Sequence, residues 1–300
     1  MKPMKTPTAF HPSSILCPVD FSELSDLALK YAAAGARVFD ATLVVFHAAR
    51  FELPAYFTSA QAEELKRQHR DQQKQVKDFV RLHTRKVLGP ETGRIRLQFE
   101  TADTHPVDAT LAAARKSKAG LVVMGTHGRG GAKRLWLGSV AENVIRQADV
   151  PVFVVRQKQH EFINTSNPQS APGLATILCP VNFTGALRSA LGHAVSLAQQ
   201  FKARLIVPCI IESADERSIA EAKRQLATWL DETAARECDA QIVTKRGQAA
   251  EQIVSLAAQT KADLVVMGAQ RRRSFQTWLS GDTTESVLRH APAPVLVVPH

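Results

Sequence analysis

The chain has 300 residues, 45% of them hydrophobic and 22% charged, with a formal net charge of +10, a composition that fits two globular domains with real cores. No apolar run approaches the roughly 18 residues that cross a bilayer, and the stretch from Met1 to Ser14 carries Lys2, Lys5 and three prolines with no apolar signal core, so no membrane partner and a cytoplasmic address are expected. Cys17, Cys179, Cys209 and Cys238 form no Cys-x-x-Cys pair and have no histidine at zinc-finger spacing, which argues against a disulfide framework and a structural metal.

The first element is a β-branched run at 14 to 19, within Ile15-Leu-Cys-Pro-Val-Asp20-Phe, and it returns later as Ile177-Leu-Cys-Pro-Val-Asn182-Phe. Further strands are expected at 42 to 47, 95 to 99, 121 to 124 and 152 to 155, with helical patterns in the gaps; such alternation signifies a parallel sheet wrapped by helices. The fourth strand, within Lys118-Ala-Gly-Leu-Val-Val-Met-Gly125, recurs as Lys261-Ala-Asp-Leu-Val-Val-Met-Gly268, and Val150-Pro-Val-Phe-Val-Val155 recurs as Ala293-Pro-Val-Leu-Val-Val298. Such self-similarity marks a tandem repeat. The offset falls from 162 at the first strand to 143 at the fourth, so the second copy is shorter by 19 residues, lost between its second and fourth strands. Residues 158 to 173 are polar, contain Pro168, Pro172 and Gly173, and read as a linker. The expected architecture is α/β: two tandem open five-stranded parallel sheets, strand order 3-2-1-4-5, helices on both faces, with domains at 14–157 and 174–300.

That strand order makes strands one and four neighbours, and ligands of open α/β sheets sit in the crevice beyond their carboxyl ends. Pro18-Val19-Asp20 follows strand one, and Gly125-Thr-His-Gly128-Arg-Gly-Gly131 follows strand four, continuing to Gly138-Ser139-Val140, where a helix is expected. The glycines allow a ligand to approach the main chain without meeting a Cβ. Ser139 at the helix mouth, together with backbone N–H groups, would make an anion site suited to phosphate; the alternative is a simple N-cap beside a flexible turn. The Asp20 carboxylate would repel phosphate, which places it at the nucleoside end, with a solvated turn aspartate as the alternative. At the end of strand two the Ala48 backbone is preferred to the His47 ring as a reader of the base, because a lone histidine is commonly a satisfied structural residue.

Gly125-x2-Gly128-x9-Gly138-Ser139, after Leu-Val-Val-Met and before Val-Pro-Val-Phe-Val-Val, resembles the complete ATP-binding signature of the universal stress proteins. The opening Pro-Val-Asp-Phe-Ser is also similar to that family's first strand and turn, and the resemblance covers nearly the whole chain as a tandem pair. It implies that Asp20 and the Ala48 backbone hold adenosine, that Met124 and Gly125 line the ribose side, and that Gly128, Gly138, Ser139 and Val140 hold phosphates, with Pro18 and Val19 also among the nucleotide-binding residues and magnesium or manganese as an accompanying ion. It further implies a strand-to-strand contact between 150–155 and 295–298, either in a homodimer or as an intramolecular pseudo-dimer. The second copy departs from the pattern: Asn182 replaces Asp20, Arg271 replaces Gly128 and Asp282 replaces Ser139. An aspartate there caps the helix and repels phosphate, so the second half is expected not to bind ATP in this mode.

The leading functional expectation is a nucleotide-dependent stress-response or signalling module, whose ATP alters the loop at 126 to 137. No Gly-Lys-Ser or Gly-Lys-Thr P-loop occurs. A second reading is a slow ATPase or phosphotransferase using Arg129, Lys133 or Arg134, with His127 as the one nearby base. A third is an interaction protein with vestigial sites, using Trp136 and Trp278 as anchors. The run Arg271, Arg272 and Arg273 reads as a solvated loop or a site for another anion, and the remaining positive charge, scattered over stretches such as Lys66 to Arg85, is a solvated face rather than a nucleic-acid footprint.

Overall fold

The computed structural model describes residues 10–48, 59–126, 137–156, 160–164, 171–181, 186–211, 220–221, 224, 226–228, 238–269 and 283–299. The first half runs β1 (Ser14–Pro18), α1 (Glu23–Val38), β2 (Thr42–Ala48), α2 (Ser59–Leu88), β3 (Arg96–Ala102), α3 (Pro106–Lys116), β4 (Leu121–Gly125), α4 (Ser139–Gln147) and β5 (Val152–Val155). The second half supplies β6 (Thr176–Leu178), α5 (Ala186–Phe201), β7 (Arg204–Ile211), β8 (Ala240–Arg246), α6 (Ala249–Gln259), β9 (Leu264–Ala269), α7 (Thr283–His290) and β10 (Val295–Pro299).

Local chemistry explains where elements start. Ser22 caps α1 by accepting the Ser25 N–H at 3.3 Å, and Glu23 and Asp26 place negative charge in its first turn, where the helix dipole favours it. Pro106 opens α3, a first-turn position that needs no N–H donor. β4 and β9 are buried along Leu121–Met124 and Leu264–Met267, as continuous apolar runs in a covered parallel sheet should be.

Each half has the expected 3-2-1-4-5 order, and the halves join into one ten-stranded sheet, β3-β2-β1-β4-β5-β10-β9-β6-β7-β8. Pairing within each half is parallel; only β5 and β10 run antiparallel, with Val154 opposite Val295 and Val152 opposite Val297. The strand-to-strand contact is therefore made within the chain, and because β5 also pairs β4 while β10 pairs β9, neither of these strands retains an open edge. The register also locates the 19 missing residues. β2 pairs Leu43 with Leu97, whereas β7 pairs Leu205 with Ala240, so the loss falls between the second and third strands.

Successive residues of β1 feed two cores. Ile15 and Cys17 pack on the α1 and α5 side, and Leu16 packs on the side of α3, α4, α6 and α7. Both cores contain residues of both halves: Phe153 and Leu296 on the first side, Val154 and Val295 on the second. The connecting segment is itself packed where it is described. Phe162 lies edge-on to Tyr31 at 5.1 Å, and the His160 and Gly173 amides donate to Pro292 and Phe162 carbonyls at 2.6 Å. The buried Asp263 carboxylate accepts the Ala175 and Thr176 amides at 2.8 Å each and meets His160 Nε2 at 2.6 Å. A polar linker was expected over 158 to 173; where it is described, Phe162 and Ile163 are half-buried against the first core. Arg156 adds a tie by donating to the Arg289 and Ala291 carbonyls at the end of α7.

Candidate functional site

Because β1 lies between β2 and β4 and all three run parallel, their carboxyl ends share one edge. That edge gathers Pro18 at the end of β1, Val19 and Asp20 just after it, Ala48 at the end of β2, and Met124 and Gly125 at the end of β4. The chain leaves β4 through Thr126, whose N–H donates to Val155 O at 2.9 Å, and it returns at Gly138, whose N–H donates to Thr126 O at 2.7 Å. This single bond pins the start of α4 beside the end of β4, so Gly138, Ser139 and Val140 reach the same edge. Gly128 lies outside the described residues, as do His127, Arg129, Lys133, Arg134 and Trp136.

α4 starts one residue before the expected Val140, and this removes the N-cap alternative for Ser139. Gly138, at φ −64° and ψ 142°, is the N-cap, and among the described residues no side chain caps the helix; Ser139 is its first helical residue and is exposed. Ser139 therefore does not cap the helix, since a first-turn hydroxyl is placed past the position from which a cap accepts. A helix start without a side-chain acceptor keeps its dipole and first-turn amides available to an anion.

Gly125 also has a reason that the sequence did not suggest. A Cβ built there would stand 3.0 Å from Leu24 Cβ and 3.2 Å from the Leu24 carbonyl carbon and oxygen. The hydrogen is required so that the first turn of α1 can pack on the end of β4, and no positive φ is involved.

At the opposite wall, Asp20 is half-buried and its Oδ1 accepts the Ser22 N–H at 3.1 Å and the Ser22 hydroxyl at 2.6 Å. The next residue, Phe21, takes φ +64°, a left-handed conformation that costs a non-glycine residue energy. It is braced by rings, with His47 at 4.7 Å, Phe79 at 4.9 Å and His83 at 5.0 Å. His83 is held in turn by Asp26 at 2.6 Å. Both main-chain polar groups of Val19 are engaged: its N–H donates to Phe46 O at 2.8 Å, and its carbonyl accepts from His47 Nδ1 at 2.7 Å. Val19 is thus left with its buried side chain for any ligand contact. The expectation that His47 is a satisfied structural ring agrees with this bond, while its proximity to the turn carrying Asp20 was not legible in the sequence.

Cys17 and Cys179 are buried at equivalent positions of β1 and just after β6. Burial, with Asp26 adding repulsion, pushes the Cys17 thiol far above its ordinary value, and burial alone pushes Cys179 up to about 12; such thiols are poor nucleophiles. In the second half Gly268 lies in β9 opposite Val298, while Asn182, Arg271, Arg272, Arg273, Trp278, Gly281 and Asp282 lie outside the described residues.

The chain matches the model of the universal stress protein family twice, over residues 13–156 and 174–299. A universal stress protein of Methanocaldococcus jannaschii is 33% identical over 152 residues, covering 49% of this chain and 84% of that one. One from Mycolicibacterium smegmatis is 28% identical over 305 residues, covering 95% of this chain and 96% of the relative, so it too is about twice the length of one repeat. The crystal structure of a universal stress protein from Archaeoglobus fulgidus superposes with a TM-score of 0.66 at 20% identity, covering 96% of each chain. With both halves matched and the same tandem fold present, this chain belongs to the universal stress protein family.

Proposed function

We propose that the chain binds one ATP at the β1–β4 edge of its first half and acts as a nucleotide-dependent module in a stress response or signalling. The observation that carries this reading is the start of α4: a helix whose N-cap is the glycine Gly138, pinned to the end of β4 by the Gly138–Thr126 bond, on the same sheet edge as a half-buried carboxylate. Ser139, Val140 and Gly138 would meet phosphate through amides and a hydroxyl, with Gly128 completing the loop and magnesium or manganese carried on the phosphates. Asp20 would accept from the ribose, Ala48 would read the base through its backbone, and Pro18, Val19, Met124 and Gly125 would form the apolar floor.

The second half would serve the sheet rather than the nucleotide, because Asp282 puts a carboxylate at the position of Ser139 and like charge opposes phosphate. Its other role would be to occupy the edge of β5 with β10, an internal substitute for a second chain. Hydrolysis is the second reading, and it rests on Arg129, Lys133 and Arg134 near the phosphates.

Calorimetric titration of nucleotide-free protein with ATP tests the proposal. Ser139→Asp and Gly128→Arg, which copy the second half into the first, should each abolish measurable binding while leaving Tm within a few degrees of the parent. Unchanged binding in both variants would remove the site from this edge. Phosphate release that disappears in Lys133→Ala/Arg134→Ala with binding intact would promote the hydrolytic reading.

A further inference from the structure

The two halves make the same backbone bond just after their first strands. In the first half Val19 N–H donates to Phe46 O at 2.8 Å; in the second, Val181 N–H donates to Pro208 O at 2.9 Å. Beside that shared bond the halves differ at the residue that follows the acceptor, His47 in the first and Cys209 in the second. The offset of 162 that relates Ile15 to Ile177 relates His47 to Cys209, and Cys209 Cα pairs with Val181 as an isolated parallel bridge. In the first half the turn carbonyl accepts a bond from an imidazole N–H at 2.7 Å; in the second the residue at that place is a buried thiol, which is a weak donor.

The His47 bond lies one residue before Asp20 and two before Phe21, whose left-handed φ of +64° turns the chain away from the strand. The same His47 ring packs on the Phe21 ring at 4.7 Å. His47 thus grips both flanks of Asp20, the carbonyl before it and the side chain after it. The half that keeps the acid keeps the grip; the half that carries Asn182 carries Cys209.

We infer that His47 is a positioning residue for the nucleotide site: through its Nδ1–H bond to the Val19 carbonyl and its contact with Phe21, it fixes the Asp20 carboxylate for the nucleoside. The inference rests on the ATP reading above for its ligand and on the two-half comparison for its mechanism. Loss of one well-made hydrogen bond that prearranges a second should weaken binding by about tenfold.

The test uses the full chain with His47→Cys, which copies the second half; His47→Asn, whose amide can restore the donor; and Asp20→Asn. Titration with ATP, adenosine and tripolyphosphate separates the two ends of the ligand. His47→Cys should weaken ATP and adenosine by the same factor and leave tripolyphosphate unaffected, His47→Asn should recover most of the loss, and in an Asp20→Asn background His47→Cys should have no further effect. Equal losses with and without Asp20, or a loss for tripolyphosphate as large as for ATP, would reduce His47 to a fold-stabilising residue and overturn the inference. Amide hydrogen exchange at Phe21 and Ser22 in ligand-free protein provides a readout independent of nucleotide: faster in His47→Cys and restored in His47→Asn. Exchange unchanged in His47→Cys overturns the positioning role, whereas wild-type protein that takes up no ATP, with exchange altered as expected, sinks the ATP reading and leaves His47 as the brace of the Asp20 turn.

Discussion

Gly125 belongs to the proposed nucleotide motif and is constrained by packing. The sequence marks it as the first glycine of a motif, yet the contact that forbids a side chain comes from Leu24 on another element, and no spacing within the motif encodes that neighbour. Two of the three crowding atoms are backbone, so they cannot swing aside; Gly125→Ala should cost about 1–3 kcal/mol, visible as a Tm lower by several degrees in thermal unfolding, with or without nucleotide. Asp263 illustrates the reverse case. It occupies the position of Gly120 in the repeat, and it is 4% exposed and bonded to two amides and His160. Asp263→Ala would strand two amides, at a cost of about 2–4 kcal/mol in urea unfolding; an unchanged midpoint would mean that water replaces the carboxylate. The place of Asp20 at the β1–β4 edge, by contrast, was legible because it follows from strand order alone, while its bonds to Ser22 were not.

At the scale of elements, strand positions were read to within a few residues, since continuous apolar runs bounded by glycine and proline are strong signals. The start of α4 was displaced by one residue because a glycine N-cap offers no side-chain signature, whereas the serine beside it mimics one. The helix pair α4 and α7 carries a charge pattern repeated at the offset of 143. Glu142 lies 3.9 Å from Arg146, and Glu285 pairs with Arg289. Burial first, then the charge of Glu285, raises the Glu142 carboxyl above its ordinary value against the opposing pull of Arg146 and Arg289. A raised acid favours folding below the ordinary carboxylate range, and that contribution is lost as pH rises through the raised value. Glu142→Gln keeps the shape without the charge. It should match the parent in denaturant midpoint near about pH 3 and exceed it at about pH 7; a variant less stable at neutral pH would mean that the bond to Arg146 outweighs burial and repulsion.

For the whole molecule, the repeat made two copies of one sheet legible, and the junction alone stayed open between a partner chain and the chain's own other half. Pairing between β5 and β10 needs the distance between two domains, a quantity that local patterns do not contain. Since both cores cross this junction, the halves should unfold together. Phe153 sits there against Tyr31 at 5.4 Å and Phe162 at 6.2 Å, and Phe153→Ala should cost about 3–5 kcal/mol. Amide exchange by global opening should then accelerate equally in β1 and β6; acceleration confined to β1 would show two independent domains. The same asymmetry between structurally matched halves underlies the functional account, in which the repeat supplies two halves of one sheet and a single nucleotide site. The stoichiometry of ATP per chain, measured by native mass spectrometry on protein saturated with the nucleotide, tests that most directly: one ATP per 300-residue chain is predicted, and either none or two equivalent ones would contradict it.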